Sequence, residues 1–219
     1  KIKKIKKSQK IFKDCKENLI KDLNFKLTND QELAIKIINK DLKSKSRMFR
    51  LLQGDVGSGK TIVSMIAAVN SINAGYQAGF MVPTEILAKQ HFSFASKYLP
   101  KNIKVQMLTG KSKFTERKKI LEDLKNGNID FLIGTHSLFQ KKVEYKKLGL
   151  IIIDEQHKFG VRQRKELSEK GGNNCDVLVM SATPIPRTMM MTVYGDMDLT
   201  LIKEKPKNRK KIITYSKLE

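Results

Sequence analysis

The chain has 219 residues, which suits one large domain or two small ones. It carries 44 basic and 22 acidic side chains, for a formal net charge of +22. The sequence has no run of about 18 apolar residues, so it predicts no membrane-spanning helix. The two cysteines, Cys15 and Cys175, indicate neither a disulfide framework nor a metal cluster, which favours a reducing cytoplasm.

The excess of positive charge has two interpretations. It favours a polyanionic partner such as a nucleic acid, because a positive field attracts and steers such a partner. Of the 44 basic residues, however, 37 are Lys, and a lysine bias can also reflect the codons of an A/T-rich genome. The charge alone leaves both interpretations open.

The first predicted elements are a basic lead-in and a helix. Residues 1–24 read as a solvated linker or an exposed helix. From Leu27 onward, "LTNDQELAIKIINKDL" predicts a helix with an apolar face. Thr28 is its expected N-cap, and Gln31 follows three residues later, as in a capping box. The residues expected on the apolar face are Leu33, Ile37, Ile38 and Leu42.

Short apolar runs then alternate with amphipathic helical patterns. The patterns at 60–73, 84–97 and 114–125 predict helices, and the apolar runs predict buried strands. This alternation predicts an α/β fold, a parallel sheet with helices on both faces. Ligands of such sheets bind beyond the carboxyl ends of the strands, where polar clusters fall in this sequence. The predicted strands are 48–53, 78–82, 105–110, 130–135, 148–155 and 176–183.

The stretch "GDVGSGKT" matches the phosphate-binding pattern G-x-x-x-x-G-K-[ST] between a predicted strand and a predicted helix. Backbone N–H groups in such a loop surround phosphate oxygens, and the helix N-terminus adds its positive end. Lys60 would reach the β- and γ-phosphates, and the Thr61 hydroxyl would ligate Mg²⁺. The predicted phosphate-binding loop, residues 54–61, consists of Gly54, Asp55, Val56, Gly57, Ser58, Gly59, Lys60 and Thr61.

The stretch "IIIDEQH" places two carboxylates at the end of a predicted buried strand. Asp154 would hold Mg²⁺ through its water shell. Glu155 would orient or deprotonate the attacking water. The three histidines, His91, His136 and His157, lack metal-ligand spacing, and His157 is interpreted as a polar coupler of the nucleotide site.

The order of the motifs "LTNDQ", "GDVGSGKT", "VPTEILAKQH", "GTHSLF", "DEQHKFG" and "MSATPIPRT" resembles the first motor lobe of superfamily 2 helicases. More narrowly, it resembles the RecG family of bacterial DNA branch-migration helicases, over about residues 25–215. The resemblance implies a RecA-like lobe that uses ATP and Mg²⁺, in which Gln31 reads adenine and Phe25 packs nearby. It implies coupling of hydrolysis to lobe movement by Gln156, His157, Ser181, Ala182 and Thr183. It also implies DNA-backbone contacts by Pro83, Thr84, Glu85, Thr109, Gly110, Gly134, Thr135 and His136.

The same resemblance implies a domain organisation. Residues 25–200 would form the ATP-binding lobe, and residues 201–219 would begin the crossover to a second lobe that carries an arginine finger. A RecG protein also has an N-terminal wedge domain for branched DNA. We therefore expect a piece of a longer bacterial, cytoplasmic helicase of DNA repair and recombination, with little ATPase activity of its own.

Three alternatives remain at this stage. The Mfd translocases have a similar motor, but that family usually has Phe at the position of Ser58 and Glu at the position of Gln156. A nucleotide-gated DNA-binding module without motor activity would have the same motifs. A small-molecule kinase would leave the "DEQH" and "SAT" motifs and the charge unexplained.

Overall fold

The computed structural model describes residues 6, 10–12, 14, 26–140, 142–154, 175–183 and 197–205. The helices there are α1 (Asn29–Lys43), α2 (Lys60–Asn73), α3 (Glu85–Tyr98) and α4 (Phe114–Asn126), with a 3₁₀ turn at His136–Phe139. The strands are β1 (Phe49–Gly54), β2 (Gln77–Met81), β3 (Val105–Leu108), β4 (Phe131–Gly134), β5 (Leu148–Ile153), β6 (Asp176–Ser181) and β7 (Asp198–Ile202).

These strands form a single seven-stranded sheet in the order β3-β4-β2-β5-β6-β1-β7. Every neighbouring pair is parallel. Strands β2, β4, β5 and β6 are buried at every residue, because apolar clusters cover both faces of the sheet. Ile152 belongs to one cluster and Ile151 to the other, as the alternation of side chains along a strand requires. The predicted α/β class is confirmed.

Helix α1 begins as its sequence predicts. The Gln31 N–H donates to Thr28 Oγ1 at 3.3 Å, and the Thr28 N–H donates to Gln31 Oε1 at 3.0 Å, which completes the capping box. The apolar face is rotated from the predicted one: Leu33 is 56% exposed, and Ala34 and Ile35 are buried instead. The prediction was wrong at Leu33 because this residue lies at the border between the apolar and the polar face of the helix, where helical spacing alone does not decide which face it joins.

Strand β7 was not predicted. It pairs with β1, with Leu201 opposite Gln53 and Ile202 opposite Gly54. Thr200 and Ile202 are buried, whereas Leu199 and Leu201 are 41% and 43% exposed. As a half-exposed edge strand it lacks the continuous apolar run that marks the central strands. The expected start of the crossover at residue 201 therefore falls inside a strand of the sheet.

The lead-in contacts the lobe through buried charges. Lys6 Nζ lies 3.0 Å and Lys10 Nζ 2.5 Å from Asp176 Oδ2, with all three side chains buried. The other carboxylate oxygen, Oδ1, accepts the Met48 N–H at 2.7 Å. Burial lowers the pKa of the Lys6 ammonium, although Asp176 opposes that shift. The expectation of a solvated lead-in is therefore wrong for Lys6, for Lys10 and for Phe12, which is also buried.

Because every pair of strands is parallel, their carboxyl ends lie along one edge of the sheet. The phosphate-binding loop follows β1 at this edge, and Asp154 follows β5. Among the described helices, none is both long and apolar enough to cross a membrane.

Candidate nucleotide-binding site

The phosphate-binding loop turns sharply from β1 into α2. Gly57 and Gly59 have φ angles of +78° and +86°, in the left-handed region that favours glycine. The Ser58 N–H donates to the Asp55 carbonyl at 3.0 Å, which closes the turn. No side chain of the described residues caps α2, and no acidic residue lies in its first turn. The positive end of this helix is therefore suited to an anion.

The Lys60 side chain folds back across the loop. Its Nζ donates to the Gly54 carbonyl at 2.6 Å and to the Asp55 carbonyl at 2.9 Å. The ammonium thus lies at the loop itself, on the first residue of α2, with Thr61 next to it. A phosphate bound in the loop would compete with these two carbonyls for Lys60, because an ammonium interacts more strongly with a charged phosphate oxygen than with a neutral carbonyl.

Gln31 links α1 to the phosphate-binding loop. Its side chain is buried, and Nε2 donates to the Ser58 carbonyl at 2.7 Å while Oε1 accepts the Thr28 N–H. A methyl group on Gly59 would lie only 2.2 Å from Gln31 Nε2. The tight contact shows why glycine stands there. The contact with Gly59 and the hydrogen bond to Ser58 give Gln31 a structural role in the loop. Adenine recognition by Gln31 stays a prediction. Phe25, which was expected to pack nearby, lies outside the described residues.

Asp154 follows buried strand β5, two strands from β1 in the sheet. Its N–H donates to the Met81 carbonyl at 2.9 Å, which extends the ladder between β5 and β2. Its Oδ2 lies 3.5 Å from His91 Nε2. Sequence reasoning did not single out this contact, since the two residues are 63 positions apart (154 − 91). Glu155, Gln156 and His157 lie outside the described residues.

Ser181 ends β6 beside the phosphate-binding loop, because it pairs with Gln53, the residue before Gly54. The Thr183 N–H donates to Ser181 Oγ at 3.2 Å, and the two hydroxyl oxygens lie 3.1 Å apart. Ser181 is buried, Ala182 is half-buried and Thr183 is exposed. The "SAT" motif therefore forms a compact bend next to the loop, and its coupling role stays a prediction.

The segments expected to contact DNA follow β2, β3 and β4, which are neighbours at the other half of the sheet. Thr84 caps α3 by accepting the Leu87 N–H, and Glu85 lies 3.5 Å from Lys111 Nζ. The strand ends are close together: a methyl group on Gly134 would lie 2.1 Å from the Leu108 carbonyl oxygen.

The solvent exposure of these segments is uneven. The exposed residues are Thr84, Gly110 and His136; Pro83 and Glu85 are half-buried; Thr109, Gly134 and Thr135 are buried. Buried Thr109 and Thr135 can offer a ligand only their backbone or a small part of the side chain. Their contact with DNA stays a prediction.

Residues 203–205, after β7, contact both α1 and the phosphate-binding loop. The Asp30 carboxylate accepts the N–H groups of Glu204 and Lys203 at 2.9 and 2.8 Å, and these bonds lower the pKa of Asp30. Lys205 Nζ lies 2.9 Å from Asp55 Oδ2. The sequence held no signal for these contacts, because β7 itself was not predicted.

Comparisons with known proteins agree with this geometry. Residues 28–192 match the family of DEAD/DEAH box helicases. The chain is 54% identical over 192 residues to the ATP-dependent DNA helicase RecG of Streptococcus pneumoniae, covering 88% of this chain and 28% of the relative. It is 51% identical over 207 residues to RecG of Thermotoga maritima, covering 94% and 26%.

Solved structures support the same relationship. The structure of RecG bound to a three-way DNA junction superposes with a TM-score of 0.81 at 46% identity, over 93% of this chain and 27% of that chain. A DEAD box protein from Methanococcus jannaschii superposes with a TM-score of 0.67 at 20% identity, over 92% and 57%, which shows a shared fold.

This chain belongs to the DEAD/DEAH box helicase family. The resemblance to RecG and the RecA-like fold are confirmed. The chain spans about a quarter to a third of the length of the curated RecG relatives that it matches.

The contact between Gly59 and Gln31 yields a matched pair of substitutions. Gly59→Ala should lower the melting temperature and weaken nucleotide binding, because the added methyl would collide with Gln31 Nε2. Gly75→Ala has a similar backbone penalty, with φ of +79°, but its nearest neighbour is 4.0 Å away. Thermal melts and nucleotide titrations of both variants should show the larger effect at Gly59, by about 1–3 kcal/mol of unfolding free energy. Equal losses in both variants would contradict the argument.

Proposed function

We propose that this chain is the ATP-binding motor lobe of a RecG-type DNA helicase, which hydrolyses ATP to move on branched DNA in repair and recombination. The observation that carries the proposal is the phosphate-binding loop with Lys60 folded over it, in a chain 54% identical to a RecG helicase. Asp154 and the "SAT" turn follow the neighbouring strands β5 and β6 and support the same function. Such a protein acts on DNA in the bacterial cytoplasm.

The nucleotide half of the lobe has a chemical role for each motif. Lys60 leaves the Gly54 and Asp55 carbonyls and binds the β- and γ-phosphates, and the backbone of the loop surrounds their oxygens. Glu155 orients or deprotonates the attacking water. Ser181, next to the loop, responds to the state of the phosphates and passes the change to the rest of the motor.

The Thr61 hydroxyl and the Asp154 carboxylate are the groups that would hold a magnesium ion arriving with the nucleotide. The described residues contain no cluster of three or more His, Cys, Asp or Glu side chains that could enclose a metal. Mg²⁺ is commonly held by one or two carboxylates together with substrate phosphates rather than by such a cluster. When bound, it neutralises charge that develops on the phosphates.

The other half of the edge, after β2, β3 and β4, is the proposed DNA surface. The residues there are expected to contact the DNA backbone, which carries no sequence information. The net charge of +22 suits a polyanion. Among the alternatives, Ser58 and Gln156 favour a RecG-type motor, because the Mfd family usually has Phe and Glu at these two positions.

Lys60→Ala tests the nucleotide half. In the protein that contains this lobe, removal of the ammonium should reduce DNA-stimulated ATP hydrolysis by about 100-fold or more and weaken MgATP binding. Lys125→Ala is the control, because Lys125 is exposed in the last turn of α4, where it pairs with Glu144. Phosphate release and nucleotide titration measure the two effects. Unchanged hydrolysis by Lys60→Ala would contradict the assignment of residues 54–61 as the phosphate-binding loop. If the wild-type protein bound nucleotide without hydrolysing it, the nucleotide-gated DNA-binding module would be favoured instead.

Salt dependence tests the DNA half. The logarithm of the duplex-binding constant should fall by about 0.9 per neutralised phosphate for each tenfold rise in salt. Lys111→Ala, beside Glu85 and Gly110, should reduce that slope by about 1, whereas Lys125→Ala at the far end of α4 should leave it unchanged. Fluorescence anisotropy with duplexes of different sequence measures the slope. A salt-independent affinity, or equal effects of the two substitutions, would contradict the proposed surface.

A further inference from the structure

His91 lies inside the lobe, between the two halves of the sheet edge. It belongs to α3, and its Nε2 is 3.5 Å from Asp154 Oδ2. The side chains are 12% and 16% exposed, so the contact is largely shielded from water. The imidazole also packs on Phe80 of β2, with ring centroids 4.7 Å apart. Packing on Phe80 restricts the plane of the imidazole ring.

We propose that His91 is a positioning residue for the magnesium-side carboxylate, which it orients through a hydrogen bond from Nε2–H to Asp154 Oδ2. The inference rests on the proposed function, since Asp154 matters in this way only if the lobe binds a magnesium nucleotide. With one carboxylate oxygen of Asp154 held by this donor, the other oxygen would be the one that holds the ion through its bound water. Groups that orient metal-binding side chains in this way tune metal affinity without touching the metal.

The position of His91 on α3 gives the contact a second consequence. The first turn of α3 contains Glu85 and is capped by Thr84, both in a segment expected to meet the DNA backbone. His91 follows Glu85 by six residues, about 9 Å along the same helix. Because a helix moves largely as a rigid rod, a shift of its first turn on DNA binding moves His91 relative to Asp154. The contact thus joins the DNA half of the edge to the nucleotide half.

Packing on Phe80 alone would explain a ring at position 91, so the test must separate the ring from its N–H group. His91→Phe keeps an aromatic ring against Phe80 and removes the donor. His91→Gln and His91→Met form a second pair of nearly equal shape, in which only Gln can donate a hydrogen bond. Ser96→Ala, at an exposed position of the same helix, is the control for any change on α3.

The measurement is the binding of fluorescent ADP to the intact protein as a function of Mg²⁺ concentration, and again in excess EDTA. His91→Phe and His91→Met should raise the Mg²⁺ concentration for half-maximal binding by about 10-fold, the lower end of the effect expected for a residue that acts through a metal-binding side chain. Binding in EDTA should change less than about twofold. His91→Gln and Ser96→Ala should follow the wild type. Duplex DNA should shift the Mg²⁺ curve of the wild type more than that of His91→Met.

The outcomes separate the inference from the function on which it rests. Identical Mg²⁺ curves for His91→Met and His91→Gln would overturn the positioning role, as would an equal loss of binding with and without Mg²⁺. Either result would leave the proposed function standing if the wild type binds nucleotide in a Mg²⁺-dependent way. A wild-type protein without such binding would overturn the proposed function itself.

Discussion

The parallel backbone ladder between the strands is the constraint on which the arrangement of this lobe depends. Since the seven strands in the described part of the chain run in one direction, every segment that follows one of them starts at the same edge. Because the strand order is β3-β4-β2-β5-β6-β1-β7, segments that are distant in the sequence become neighbours along this edge. Segments after β3, β4 and β2 form one half, and those after β5, β6 and β1 form the other. A site for phosphates and a site for a polyanion can thereby lie side by side without sharing residues.

The phosphate-binding loop holds its shape through contacts within the protein. Lys60 bonds two carbonyls of the loop, Gln31 bonds a third, and Lys205 pairs with Asp55. Except at Lys60, which has to leave its two carbonyls, this preformed geometry reduces the ordering that a ligand would otherwise have to impose. The exposed Lys205 pair adds little stability by itself, as surface ion pairs generally do. Its interest is its position, since residues 203–205 also bond Asp30 and so connect α1 with the loop.

Local signals in the sequence were sufficient for the main elements. The helix at 60–73 has the predicted bounds, and the capping box at Thr28 and Gln31 forms as expected. Sequence patterns were insufficient where tertiary packing decides. Lys6 and Lys10 look solvated in a lysine-rich run, yet the buried Asp176 pairs with both. Strand β7 and the contact between His91 and Asp154 depend on strand order, which no local pattern encodes. The roles of Phe25 and of residues 155–157 stay predictions.

The central claim is that nucleotide phosphates bind in the phosphate-binding loop and engage Gln31 through it. Amide hydrogen exchange of the protein with and without MgADP tests this claim most directly. The largest added protection should fall in residues 54–61, with a smaller increase in 28–33, because Gln31 bonds the Ser58 carbonyl. Residues 114–126, on the far helix α4, should not change. Protection that leaves residues 54–61 unaffected, with bound MgADP established independently, would contradict the account.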